Sequence, residues 1–487
     1  MTSLSLLRAR IDLAEATDQI SLALDHAQIV RIPDACISST VTRTTSALLG
    51  PDLTDLVCML PDGVDSVIFS VIAVGDDGDQ VSGEAVATSG LLDREISLPA
   101  RTISGGTPTL SPDLRLLSSP DFLNNDVGDL AEGPGSWSEQ DPLTRTINST
   151  NAAYETALDT ILDDWQDLDP AGVLVAGDLV DGRWGYDDHD SGNFGPVDTR
   201  AERRAAVRRA ARTYYPQWKQ RFTDRGLAVF PAMGDHEYGD DPWPRRKRLL
   251  AEDFKAEFAR EFTTNAAGRP LLADHPRGPA RLTAYAGRPS PDVQVVTLDV
   301  FDITPARAKI RVDRQQMRWL RDVLRKARRD DVRWVIVQAH TPILYPVRTR
   351  ASSRLHYPRG EDSKLWKVFK RFGVDLYLAG EVHDTTAVQS DGIVQISHGG
   401  IFHYSLTTAL LLDFYGDHLY VTLRDYDVQH SEDPIGRRLW ETRRDGLPFQ
   451  VDVSETVSTI GTAVIADRSA RPLVAGSGIL VLSPGAD

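Results

Sequence analysis

Apolar and polar positions change their rhythm at about residue 112. Upstream, they alternate loosely over residues 4–12 and again over 66–74. Residues 19–25 form a further short run, and Asp76-Asp77-Gly78-Asp79 has the composition of a hairpin tip. Residues 1–100 are therefore expected to form a β-rich, sandwich-like domain. Residues 101–112, rich in Gly, Pro, Ser and Thr, read as a linker.

Downstream, strand-like and helix-like patterns take turns. Apolar runs at 114–117, 171–176, 227–233, 293–298, 333–338 and 374–378 predict strands. Between them, Leu158, Ile161, Leu162 and Trp165 recur at helical spacing, as do Met317, Leu320 and Leu324. A basic helix is predicted near 200–224. Another is predicted over 363–372, stopped by Gly373 in the position of a C′ glycine. Residues 393–397, 409–414 and 418–426 then read as consecutive strands. Strands alternating with helices and closing in an all-strand run predict a layered α/β domain over 113–427, with a β-like extension over 428–487.

Charge narrows the functional classes. The 487 residues carry 54 Lys and Arg against 70 Asp and Glu, a net −16. Such a chain is a poor non-specific partner for polyanions, so nucleic acid enters only as a substrate and anionic membrane not at all. A phosphate substrate stays compatible if metal ions supply local positive charge. Cys36 and Cys58 cannot build a disulfide framework or a cysteine zinc site. The opening residues are broken by Arg8, Arg10 and Asp12, too early for a signal peptide, and no apolar run is long enough to span a membrane. The expected location is cytoplasmic or otherwise soluble, which is compatible with incorporation into a larger particle.

Five short segments carry the candidate chemistry, each directly after a predicted strand. They are Pro120-Asp121-Phe122-Leu123, Gly177-Asp178-Leu179-Val180-Asp181, Gly234-Asp235-His236-Glu237, Ala339-His340-Thr341-Pro342 and Gly380-Glu381-Val382-His383. In open α/β sheets the loops at carboxyl strand ends converge on one rim. Oxygen and nitrogen donors gathered there are costly to bury uncompensated, and divalent cations would neutralise them.

In order and spacing these segments resemble the calcineurin-like metallophosphoesterase superfamily. Its pattern is Asp-x-His, Gly-Asp-x-x-Asp, Gly-Asn-His-Glu/Asp, a lone His, and Gly-His-x-His. The resemblance covers about 310 residues and leaves out both ends. It implies a four-layer αββα sandwich with two metals at one edge, and an enzyme that hydrolyses phosphoric esters, a phosphatase or phosphodiesterase, through attack of a metal-held hydroxide on phosphorus. By the same resemblance, Asp121 and His383 would bind the first metal, Asp178 would bridge both, and Asp235, His340 and Glu381 would bind the second. His236 would protonate the leaving group or stabilise phosphoryl charge, with Glu237 orienting it.

Three positions depart from the family pattern. Leu123 stands in place of the first-motif His, Asp235 in place of Asn, and Glu381 in place of the first His of the last motif. Asp121, Asp178, Asp235 and Glu381 then offer four negative charges beside the neutral His340 and His383, a sum two divalent cations balance. Carboxylate-rich donors favour Mn²⁺, Mg²⁺ or Ca²⁺ over Zn²⁺, with Fe admissible. Asn125, Asp126 or water are the substitutes available for the missing first-metal ligand. A weak or missing first metal is the other outcome.

Around the centre, Arg183, Trp184 and His403 are candidate substrate contacts; loop or strand-end residues without that role are the alternative. Asp187-Asp188-His189-Asp190 reads as a solvated loop and Arg203–Arg212 as a solvated helix face. The competing reading of the whole chain is a degenerate relative, a binding or assembly protein that keeps the fold without the hydrolysis.

Overall fold

In the computed structural model, residues 112–122, 152–180, 182–185, 195–349, 352–400, 407–416, 418–426 and 428–430 are described, together with strands within 5–102 and 451–484. The chain divides into two compact units. The first takes in Met1–Leu114, Leu412–Leu423 and Thr459–Leu482. Within it, Ser5–Asp12 pairs antiparallel with Thr54–Leu60 and parallel with Arg94–Ser97. Leu24–Arg31, Ser66–Gly75, Gln80–Thr88 and Arg101–Thr102 form an antiparallel sheet. Of the run expected at 19–25, residues 19–23 lie outside the described residues, as does the hairpin tip at 76–79.

The second unit takes in Arg115–Leu411, Arg424–Ser458 and Ser483–Asp487. In one of its sheets β3 (Val229–Pro231), β2 (Val173–Val175) and β1 (Leu114–Ser118) run side by side and parallel. The other runs β4 (Tyr285–Ser290), β5 (Val293–Thr297), β6 (Trp334–Gln338), β7 (Leu376–Ala379), β9 (Ile393–Ser397) and β8 (Thr386–Ser390). Strands β5, β6, β7 and β9 are parallel, flanked by antiparallel β4 and β8.

Parallel neighbours need crossovers, and crossovers of one hand put their helices on one outer face. Helices α1 (Ala152–Asp167) and α2 (Arg200–Thr223) follow β1 and β2, while α4 (Arg314–Arg329) and α5 (Lys364–Phe372) follow β5 and β6. The short α3 (Ala251–Phe258) packs against α2. The result is the expected α/β fold, two sheets flanked by helices.

Local chemistry explains the helix ends. Thr199 and Glu202 close a capping box on α2, each side chain meeting the other's backbone N–H. The Asp313 side chain accepts from Gln315 and Gln316 N–H to start α4, and Ser363 accepts from Trp366 N–H to start α5. Gly373, at φ 68°, ends α5 as its spacing predicts. Helix α4 buries Met317, Leu320, Val323, Leu324 and Ala327, the apolar stripe of an amphipathic helix.

The Arg-rich face of α2 is solvated and paired. Arg204 and Arg208 reach Asp253, and Arg212 reaches Glu257, both acids on α3. Side chains also stitch one sheet to the other. Gln338 Nε2 donates to the Phe230 carbonyl and the Tyr285 hydroxyl to the Pro231 carbonyl, each at 2.8 Å. No helix among the described residues is long and apolar enough to cross a membrane.

Candidate metal centre

The carboxyl ends of β1, β2, β3, β6 and β7 feed five loops that meet. Asp121 follows β1, Asp178 follows β2 and Asp235 follows β3; His340 follows β6, and Glu381 and His383 follow β7. All six are buried. Asp121 N–H donates to the Gly177 carbonyl, Glu381 N–H to Asp121 Oδ1, and Gly380 N–H to the His340 carbonyl, so the loops brace one another. Asp121, Asp178, Glu381 and His383 have φ of 53°, 58°, 71° and 54°. The left-handed region is uncommon for residues with a Cβ, and it aims these side chains inward.

Ligand atoms of Asp121, Asp178 and His340 lie within 4.8 Å of one another, and so do those of Asp235, His340 and Glu381. His340 Nε2 is the hub, 2.9 Å from Asp235 Oδ1 and 3.3 Å from both Asp178 Oδ2 and Glu381 Oε2. His383 Nε2 lies 3.9 Å from Asp121 Oδ1. Glu381 Oε1 accepts from Ser353 Oγ and from Leu355 N–H, which turns Oε2 toward the hub.

The donor set fits divalent cations. His340 Nδ1 is 2.8 Å from the Ala176 carbonyl, an acceptor, so the ring proton belongs on Nδ1 and Nε2 presents a lone pair. That lone pair faces carboxylate oxygens. Asp121 Oδ2, Asp235 Oδ1 and His340 Nε2 are buried without a hydrogen-bond partner. Lone pairs facing one another this closely need a proton or a cation between them.

The titrating groups show the same want of positive charge. Burial raises the Asp121 carboxyl well above the usual range; His340 opposes this, while Asp178 and Glu381 add to it. Burial and then Asp235 push Glu381 up to about 7. Burial works to lower His340, but Asp178, Asp235 and Glu381 outweigh it and raise the imidazole well above its ordinary value. Burial works to raise Asp235, yet His236 and His340 hold it below the usual range.

His236 stands at the edge of the cluster, 3.9 Å by Nε2 from Asp178 Oδ2 and 3.7 Å from Asp240 Oδ1. The Glu237 carboxylate, expected to orient that ring, meets four backbone amides. Its Oε1 accepts from Leu179 and Val180 N–H, and its Oε2 from Asp178 and Gly234 N–H. Four donors fill the lone pairs of one carboxylate. Burial and then Asp178 push Glu237 up to about 7, against the Gly234 and Asp178 amides, which favour its ionised form.

The flanking residues fall out differently. Trp184 is not open to substrate: it is 2% exposed, with its ring against Tyr214, Tyr215 and Phe254. A short 3-10 turn at Arg183–Gly185 tucks this large apolar ring into the core rather than the loop surface. Arg183 reaches Asp240 Oδ2 at 3.0 Å. His403, Asp181, Leu123, Asn125, Asp126 and 187–190 lie outside the described residues. Sequence reasoning passed over Asp240, which meets both Arg183 and His236 and joins Asp235 and Asp241 in a further acidic group. The run Gly239-Asp240-Asp241-Pro242 directly after the third motif was the available signal.

The model of the calcineurin-like phosphoesterase family matches residues 119–384. No curated protein sequence matches this chain significantly. Similar solved structures include GAP50, the anchor in the inner membrane complex of Plasmodium, at 10% identity over 64% of this chain and 84% of that one, with a TM-score of 0.33. A protein from Staphylococcus aureus provisionally named a 5′-nucleotidase, solved with alpha-ketoglutarate, is 13% identical over 69% of this chain and 53% of that one, again with a TM-score of 0.33. The family match spans more than half of the 487 residues and includes every candidate ligand: the chain is a divergent member of the calcineurin-like phosphoesterase family.

Proposed function

We propose that this protein is a metal-dependent phosphoric ester hydrolase. The observation that carries the reading is the buried set of lone pairs around His340 Nε2, a costly arrangement that a bound cation would relieve. Asp178, Asp235, His340 and Glu381 would hold one cation, and Asp121 and His383, with Asp178 shared, another. When bound, such cations supply positive charge for phosphoryl oxygens and make water a better nucleophile at neutral pH.

The chain's own residues do the rest. The left-handed backbones at Asp121, Asp178, Glu381 and His383 fix the donors before any ligand arrives. Ser353 and Leu355 hold Glu381 at the angle its free oxygen needs. His236, beside Asp178 yet outside the His340 hub, would give a proton to the departing alkoxide. Four carboxylates favour Mn²⁺, Mg²⁺ or Ca²⁺.

The test pairs metal content of the purified full chain with hydrolysis of an aryl phosphate monoester and diester. Stoichiometric divalent metal together with turnover supports the reading. Bound metal without turnover on either ester favours the binding-protein alternative, and absence of both removes the metal reading.

A further inference from the structure

The geometry points to Glu237 as a positioning residue that sets the metal affinity of this site by holding Asp178. The inference rests on the metal-dependent reading above and adds a residue that touches no metal. Glu237 is fully buried, and its carboxylate takes the consecutive N–H groups of Asp178, Leu179 and Val180. Successive amides converging on one anion form a nest, a concavity of fixed partial positive charge. Here the anion is internal, and it comes from the third motif loop. Its fourth donor is the Gly234 N–H, on that same loop.

The nest braces a residue in an uncommon backbone conformation. Asp178 sits at φ 58°, in the left-handed region, which aspartate enters more readily than most residues with a Cβ but still only sparsely. With its N–H held by Glu237 Oε2, its carboxylate is free to split two ways. Oδ1 accepts from His236 N–H at 3.1 Å, and Oδ2 lies 3.3 Å from His340 Nε2. The chain of contacts therefore runs from Glu237 through the Asp178 backbone to the Asp178 carboxylate and the candidate cation. Glutamine is a poor replacement. Its amide NH₂ would meet two N–H donors where an acceptor is required.

The experiment titrates Mn²⁺ into the metal-stripped full chain by calorimetry, for the parent, Glu237→Gln, Asp178→Asn and the double variant. Loss of an outer partner of a metal ligand commonly costs ~10–100-fold in metal affinity. We expect Glu237→Gln to fall in that range. The double variant should bind no more weakly than Asp178→Asn alone, because the two residues act as one unit. A folded Glu237→Gln protein with parental Mn²⁺ affinity overturns the inference, as does full additivity in the double variant. Should Glu237→Gln fail to fold, Glu237→Asp, shorter by one methylene with the charge kept, is read by the same two criteria. A parent that binds no Mn²⁺ overturns the metal reading beneath, and this inference with it.

Discussion

His340 and Asp235 meet at 2.9 Å through Nε2 and Oδ1, while the other ring nitrogen of His340 faces the Ala176 carbonyl. With the ring proton on Nδ1 these two atoms are both acceptors, and only a proton or a cation between them relieves the contact. Stability should therefore depend on what lies between them.

The first expected outcome concerns metal removal. A cation at 100 times its dissociation constant adds about 2.7 kcal/mol to stability. Thermal unfolding in chelator and in excess Mn²⁺ should differ by several degrees, and His340→Ala should erase most of that difference. An unchanged midpoint in the parent would count against a cation at this hub.

The second concerns His236. His236→Ala should keep metal binding and lower turnover by ~10²–10⁴, the usual worth of general acid–base catalysis. Nitrophenyl esters, whose leaving group needs no proton, should suffer less than alkyl esters. Equal losses on both would rule out proton donation.

Metal preference supplies a third test. The variant Asp235→Asn with Glu381→His exchanges two carboxylates for neutral donors. Its activation profile across a panel of metals should move from Mn²⁺ or Mg²⁺ toward Zn²⁺. The same ranking in parent and variant would show that these side chains do not contact the metal.

Packing behind the ligands is a fourth. Phe122, next to Asp121, is fully buried with its ring edge-on to Trp165, Trp218 and Phe222. Phe122→Ala should cost about 3–5 kcal/mol, as large aromatic deletions in cores do. Denaturant unfolding measures it, and a loss under 1 kcal/mol would show that the core closes over the gap.

A fifth follows from His398, buried with Nε2 3.0 Å from Ser118 Oγ. Burial lowers its pKa from 6.5 to about 3, against a backbone bond to Gly399. Below pH 6.5 the unfolded chain takes up a proton that the folded chain refuses. The folded state therefore loses up to ~1.4 kcal/mol per pH unit as pH falls from 6.5 toward 3, and nothing above 6.5. His398→Asn should flatten that part of the stability–pH curve, and parallel curves for the two proteins would show that His398 titrates normally.

What could be read along the chain was what depends on near neighbours. Gly373 and Met317, Leu320 and Leu324 announced their helices because caps and stripes are local. The ligand loops could be found because each sits directly after a parallel strand. Trp184 was misplaced for the opposite reason. A tryptophan between glycines looks like an exposed loop until α2 and α3 supply Tyr214, Tyr215 and Phe254 around it. The Glu237 bonds reach back to residues 178–180, a distance at which a single sequence carries no signal.

Where the ligand loops touch, glycine leaves no room at all. A Cβ on Gly234 would fall 2.0 Å from Asp178 Oδ1, and one on Gly177 would fall 2.5 Å from His340 Nδ1. Main chain thus lies directly against ligand, with no compressible side chain between them. Walled in from behind in this way, Asp178 and His340 have little room to retreat from a larger occupant. Ionic radius becomes a criterion of its own: oxygen donors close at about 2.0–2.1 Å on Mg²⁺ and at 2.3–2.6 Å on Ca²⁺. Ions of equal charge would be sorted by size, with the missing methyl groups setting the gauge.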